Sequence, residues 1–168
     1  MPRNVRPDMK AGCEADSKNI ATGPRHMARS PNGMHRAALL FEGDIRFGPE
    51  YFRLSIDDRI VPHRIFGKPL QWSAGSRFIA AQEWLTMDYA AGPITCAALI
   101  DVNEWKIARL PLIRKGFAED FRFDNGVLKY RKNCPAKATV CEADVVLRAI
   151  RNWEDIDTPP LPLPFAGA

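Results

Sequence analysis

The sequence has no run approaching the roughly 18–20 apolar residues that a membrane-spanning helix needs. Met1 to Asn19 carries charges and prolines where a secretory signal would have a continuous apolar stretch. A cytoplasmic protein without a membrane partner is the expectation that remains. The GxGxxG fingerprint and the P-loop pattern are both missing, so no phosphate-cradling loop for a nucleotide cofactor is expected. None of the histidines, His26, His35 and His63, has a Cys or His at metal-ligand spacing, which argues against a structural zinc. Ser73 and Ser76 flank a bend, but Trp-Ser-Ala-Gly-Ser is not a nucleophile elbow. His63 has no evident third group to orient it beside Ser73. No cofactor and no metal are expected, and the balance leans away from an enzyme. The cysteines Cys13, Cys96, Cys134 and Cys141 come without a secretion signal and are expected as thiols. Cys96 lies in an apolar run, whereas Cys134 and Cys141 flank a bend and are the pair placed to close if oxidised.

What is present is a globular composition, 46% hydrophobic and 26% charged over 168 residues, enough for one domain. The formal net charge of +4 is unevenly placed. Six basic residues face three acidic ones before Arg36, and the remainder holds 18 against 17. The basic pI of about 9.0 is therefore a property of the N-terminal segment, and nucleic acid is not the expected partner.

Residues 1–35 contain Pro2, Pro7, Pro24 and Pro31 with little hydrophobic periodicity, and read as a disordered basic tail. Met1, Met27 and Met34 are all candidate starts. From Arg36 the chain turns to short strand-like runs separated by turn residues. These are Ala37–Phe41, Ile45–Phe47, Tyr51–Ile56, Arg59–Ile65, Arg77–Glu83, Thr95–Ile100 and Glu104–Leu110. The clearest hairpin is Phe121 to Tyr130, with Asn125-Gly126 suited to a type I′ turn. Ala138–Cys141 follows, and Val145–Ile150 fits a strand or a short helix. Residues 36–157 read as a single β domain, and 158–168 as a proline-rich strap or disordered end.

The segment Trp72-Ser73-Ala74-Gly75-Ser76-Arg77-Phe78-Ile79-Ala80, followed by Cys96–Asp101 and Trp105–Leu110, resembles one blade of TolB-type, WD-like β-propellers. Those blades carry a Trp-Ser-Pro-Asp turn, then a basic residue and an apolar strand. Ala74 and Gly75 depart from that pattern. The resemblance covers about residues 70–110 and implies a blade-like antiparallel sheet. The 133 residues from Arg36 hold only about three blades at roughly 40–45 residues each, fewer than a closed propeller uses. The expected fold is mainly β, with antiparallel blade-like sheets in a partial or irregular propeller, or one half of a dimer. The alternative is a β-sandwich.

Three places carry potential chemistry. Glu83 and Asp88 flank the loop after the Trp-Ser strand, and such a carboxylate pair would suit a carbohydrate-active hydrolase. Arg122, Lys129, Arg131 and Lys132 lie among Phe121, Phe123 and Tyr130, a mixture on which single-stranded nucleic acid could stack. Strand alternation, however, puts Phe121 and Phe123 on the face opposite Arg122. The loop from Trp84 to Pro93 is long and apolar, and Trp84, Leu85, Met87 and Tyr89 are its candidate partner-binding anchors. The competing reading of the same loop is a cap over the core. The favoured function is a non-catalytic protein-binding module with another protein as its partner. Bacterial toxin-neutralising immunity proteins offer an analogy at the level of fold.

Overall fold

A computed structural model of the chain describes residues 24–163. Strands account for 56% and helix for 4%, so the protein is mainly β, in antiparallel sheets not closed into a barrel. The strands in chain order are β1 (Pro24–Arg29), β2 (Arg36–Asp44), β3 (Glu50–Ile56), β4 (Arg59–Ile60), β5 (Ile65–Trp72), β6 (Phe78–Trp84) and β7 (Ile94–Asp101). They continue with β8 (Lys106–Arg109), β9 (Ile113–Arg114), β10 (Phe117–Asp124), β11 (Val127–Cys134), β12 (Thr139–Val146) and β13 (Glu154–Asp155). The large sheet runs β1-β2-β3-β5-β6-β7-β8-β13, with β4 paired to β3 and β9 to β7. A second sheet, β10-β11-β12, packs against one face of the first.

The strands β6 and β7 sit between two apolar layers, which is why almost every residue in them is buried. Alternation sends Ile79, Ala81, Ala98 and Ile100 to one layer, with Leu39, Phe52, Leu54, Phe66 and Trp72. It sends Ala80, Ala97 and Leu99 to the other, where Phe121, Leu128 and Tyr130 arrive from the second sheet. Alanines on both faces at the β6–β7 centre let the two layers approach closely. Two buried polar side chains fix the second sheet: Gln82 Nε2 donates to the Ala118 carbonyl at 2.8 Å, and Thr95 Oγ1 to that of Gly116 at 2.8 Å. Gly116 is held to a bare backbone there, since a Cβ would lie 2.7 Å from the Asn133 carbonyl. Pro111 lacks the N–H to continue a ladder, and the partner of β7 is split there into β8 and β9.

The meander β5-β6-β7-β8 spans the segment with the blade resemblance, and runs on without a break into β3, β2 and β1. Its turn is held as the sequence suggests. The Ser73 N–H donates to the Phe78 carbonyl at 2.8 Å, and Ser73 Oγ accepts from the Phe78 N–H at 3.0 Å. The Asn125-Gly126 turn also forms, with φ of 47° and 76° and Asp124 opposite Val127.

Several expectations are corrected. The disordered tail was expected to reach residue 35, and its part from 1 to 23 lies outside the described residues. Pro24–Arg29, however, is a strand paired to β2, followed by a turn over 31–34. Its bonds come from far along the chain: Trp72 Nε1 donates to the Ala28 carbonyl at 2.9 Å, and Asn32 N–H to Ser76 Oγ at 3.0 Å. His26 meets the Phe52 ring edge-on, and His35 stacks on Trp72. Ile45–Phe47 is a turn, with Phe47 at φ 60° and 88% exposed. Arg59–Ile65 supplies only the two-residue β4, because Pro62 and His63 turn the chain before β5. Val145–Ile150 is the end of β12 plus a 3₁₀ turn at Leu147–Ala149.

Candidate functional site

At the end of β6 the core alternation places a carboxylate where an apolar residue is expected. Glu83 follows Ile79 and Ala81 on the same face, and its side chain is 1% exposed. Two arginines neutralise it. Arg109, at the end of β8, donates from Nε to Oε2 at 3.0 Å and from Nη2 to Oε1 at 2.7 Å. Arg64 follows the reversal at His63 (φ 61°) and enters β5; its side chain is fully buried. Its Nη1 donates to Glu83 Oε1 at 2.9 Å and its Nη2 to Glu154 Oε2 at 3.2 Å. The Cys96 thiol lies opposite on β7, 3.8 Å from Glu83 Oε2. Burial pushes that thiol well above its ordinary range, and the negative charge of Glu83 adds to the effect. Cys96 is thus a protonated, unreactive core residue. Cys134 and Cys141 are free thiols on neighbouring strands.

This network forms the floor of a cavity of about 340 Å³. Leu85, Thr86 and Met87 wall one side, and the strap Pro160-Leu161-Pro162-Leu163 walls the other. Met87 is 53% and Leu161 79% exposed, so two large apolar side chains rim an arginine-containing floor.

The loop anchors divide. Trp84 is 3% exposed and packs edge-on against Phe117 at 5.6 Å, so it closes the core and is no exposed anchor. Strand alternation explains this, because Trp84 continues the face of β6 that carries Ala80 and Gln82. Gly67 lies beneath it, where a Cβ would be 2.6 Å from the indole nitrogen. Tyr89 is half-buried, its ring 6.4 Å from that of Trp84 and against Gly48. Leu85 is half-buried, and Met87 alone of the four stands out in solvent.

The acid pair is not assembled. Both oxygens of Glu83 are taken by guanidinium groups, and Asp88 is exposed on the loop and absent from the cavity wall. Asp88 instead caps its own turn, with Oδ1 accepting from the Ala90 N–H at 3.0 Å. The hairpin aromatics are likewise occupied, since Phe121 and Tyr130 are buried between the sheets. Three of that hairpin's four basic residues are laced to acids: Arg122 to Glu142, Lys129 to Asp144, and Arg131 to Glu119 and Asp120.

Sequence reasoning missed Arg64 and Arg109. Nothing local marks either one, since their partner is 19 and 26 residues away. Among the described residues no group of three or more His, Cys, Asp and Glu is placed to hold a metal ion, and no helix is long and apolar enough to cross a membrane. Comparison with known proteins finds no family model, no curated protein and no solved structure that matches the chain.

Proposed function

We propose that the protein is a non-catalytic, cytoplasmic binding module that docks a segment of another protein between the 85–87 loop and the 160–163 strap. The observation that carries this reading is the pairing of an exposed apolar rim, Met87 and Leu161, with a floor that presents the partly exposed Arg109, while Glu83 and Glu154 both serve the buried Arg64. An apolar partner segment bearing a carboxylate suits both features: the rim buries its side chains and Arg109, the more exposed guanidinium, meets its charge. Methionine at such a rim adapts its shape to the partner. The toxin-neutralising role belongs to this class and remains an analogy of fold. The blade resemblance is kept as a local reading of β5–β8, supported by their unbroken four-strand meander.

The test is affinity capture from the native cell extract with wild type beside Met87→Asp/Leu161→Asp. Both positions are exposed, so the double variant is expected to keep its melting temperature and lose the captured protein. The same captured set with both baits overturns the proposed groove. For the toxin-neutralising case, co-expression with a toxin encoded beside the gene should rescue growth, and the double variant should fail to do so.

A further inference from the structure

A cleft of about 730 Å³ lies at the opposite end of β6 and is independent of the proposed docking groove. It opens where Arg77, Phe78 and Asp101 of the large sheet meet the Asn125-Gly126 turn of the small one, and the segment 146–153 closes its side. The volume is that of a small-molecule site.

Its charge is one-sided. Arg77, Arg148 and Arg151 line it against a single carboxylate, Asp101. Asp101 is already saturated: Oδ2 accepts from Arg77 Nε at 3.0 Å and Nη2 at 2.7 Å, and Oδ1 from the N–H groups of Asn103 and Glu104. Among the described residues Arg151 spends only Nη1, on the carbonyls of Arg148 and Ile150. Arg148 is exposed, and its guanidinium makes no hydrogen bond or ion pair among the described residues. Two cations therefore face the cleft without a carboxylate of their own among the described residues.

The wall beside them is aromatic. Phe78 and Trp153 stack at 6.1 Å with their planes 26° apart, both half-buried, and the Arg77 guanidinium lies 5.1 Å over the Phe78 ring. Flat apolar faces next to uncompensated guanidinium groups fit a ligand with a planar ring at one end and a multiply charged anion at the other. The Asn125 side-chain amide adds a neutral donor and acceptor at the turn. An isolated carboxylate or a neutral aromatic would use only half of this lining.

We infer that the cleft binds a nucleoside phosphate, its base against Phe78 and Trp153 and its phosphate between Arg148 and Arg151. The same chemistry is offered by a free nucleotide and by the 5′-phosphorylated end of a single-stranded nucleic acid.

The test uses the full chain, with tryptophan fluorescence and calorimetric titration against AMP, adenosine, ribose 5-phosphate, inorganic phosphate and a 5′-phosphorylated tetranucleotide. AMP is expected to bind at least about tenfold more tightly than adenosine, ribose 5-phosphate or inorganic phosphate, since each lacks one half of the contact. Arg148→Glu changes an exposed side chain, so it should keep the melting temperature while weakening AMP by about tenfold or more. Trp153→Phe keeps a ring in place and should weaken AMP less than Arg148→Glu does. Tetranucleotide and AMP of equal affinity mark the free nucleotide as sufficient, and a markedly tighter tetranucleotide marks a strand end; both support the site. No saturable AMP binding by the folded protein overturns the inference. So does inorganic phosphate binding as tightly as AMP, or Arg148→Glu binding AMP as wild type does. Capture through the Met87–Leu161 groove is read separately, so either proposal can fail without the other.

Discussion

Replacing Glu83 by Ala should be among the most damaging single changes in this protein, for an electrostatic reason that the geometry makes specific. Among the described residues the substitution removes every carboxylate acceptor of Arg109 and one of the two that serve Arg64. Arg64 is fully buried and would keep only Glu154, which is 45% exposed and 3.2 Å away. Breaking a buried ion pair from one side costs about 3–5 kcal/mol, because the charge left behind has lost its water as well as its partner. Against a typical total stability of about 5–15 kcal/mol, that is roughly a fifth or more. Glu83→Gln keeps the shape but sets an amide against guanidinium groups, and should lose about 2–3 kcal/mol through its charge-assisted bonds. The triple change Arg64→Met/Glu83→Leu/Arg109→Met removes all three charges together and should recover most of the loss, since apolar replacement of a whole buried network is often close to neutral. The assay is urea unfolding followed by tryptophan fluorescence, with the slope checked for constancy so that midpoints report stability. A loss below about 1 kcal/mol for Glu83→Ala would refute the account of a neutralised buried carboxylate. Lost glycoside hydrolysis with unchanged stability would instead restore Glu83 as a catalytic acid.

Deleting residues 1–33 removes β1 with the Ala28 carbonyl that holds Trp72, and uncovers part of the core around Leu39 and Phe52. A loss of about 3 kcal/mol in urea is expected, and a truncated chain as stable as the full one would refute the role of β1. Trp84→Ala should cost about 3–5 kcal/mol as a buried aromatic, and Met87→Ala about 0.5 or less, read as melting temperatures; equal effects would contradict the division of the loop. Burial, with a smaller contribution from Cys96, pushes the Tyr130 phenol up to about 12 from its ordinary 10.0. Because the folded state holds that proton longer, the stability it contributes is complete below about pH 10 and is lost as the pH rises toward 12. Tyr130→Phe should flatten that alkaline limb and remove a late step from the absorbance at 295 nm; an unaltered limb would refute it.

The parts of the fold legible in the sequence are those set by neighbouring residues. Asn125-Gly126 dictates its own turn through positive φ, and the strands beside it alternate, so Phe121 and Tyr130 could be assigned to the core at once. The runs of β6 and β7 read as buried on both faces because they lack alternation. β1 was illegible for the opposite reason. Pro24–Arg29 carries no apolar pattern of its own, and what holds it is a ladder with β2 and a tryptophan 44 residues away. Composition measures whether a segment can bury its own side chains; it is blind to one recruited through its backbone.

The same distinction governs the site. Met87 and Leu161 were visible as apolar residues in a loop and a strap, but only tertiary packing sets them across one cavity. Trp84 could have been placed from parity alone, since it continues the face of Ala80 and Gln82 beyond the point where the loop was taken to begin. Glu83 shows where parity stops helping. The pattern puts it on the core face, where a lone carboxylate would be prohibitive, and so parity predicts that a cation must come to it. It does not say which of the chain's 24 lysines and arginines comes, because that is decided by a turn at His63 and the register of β8, both remote from β6. A buried acid in an otherwise apolar strand is therefore a request for a partner that the sequence states and only the fold answers.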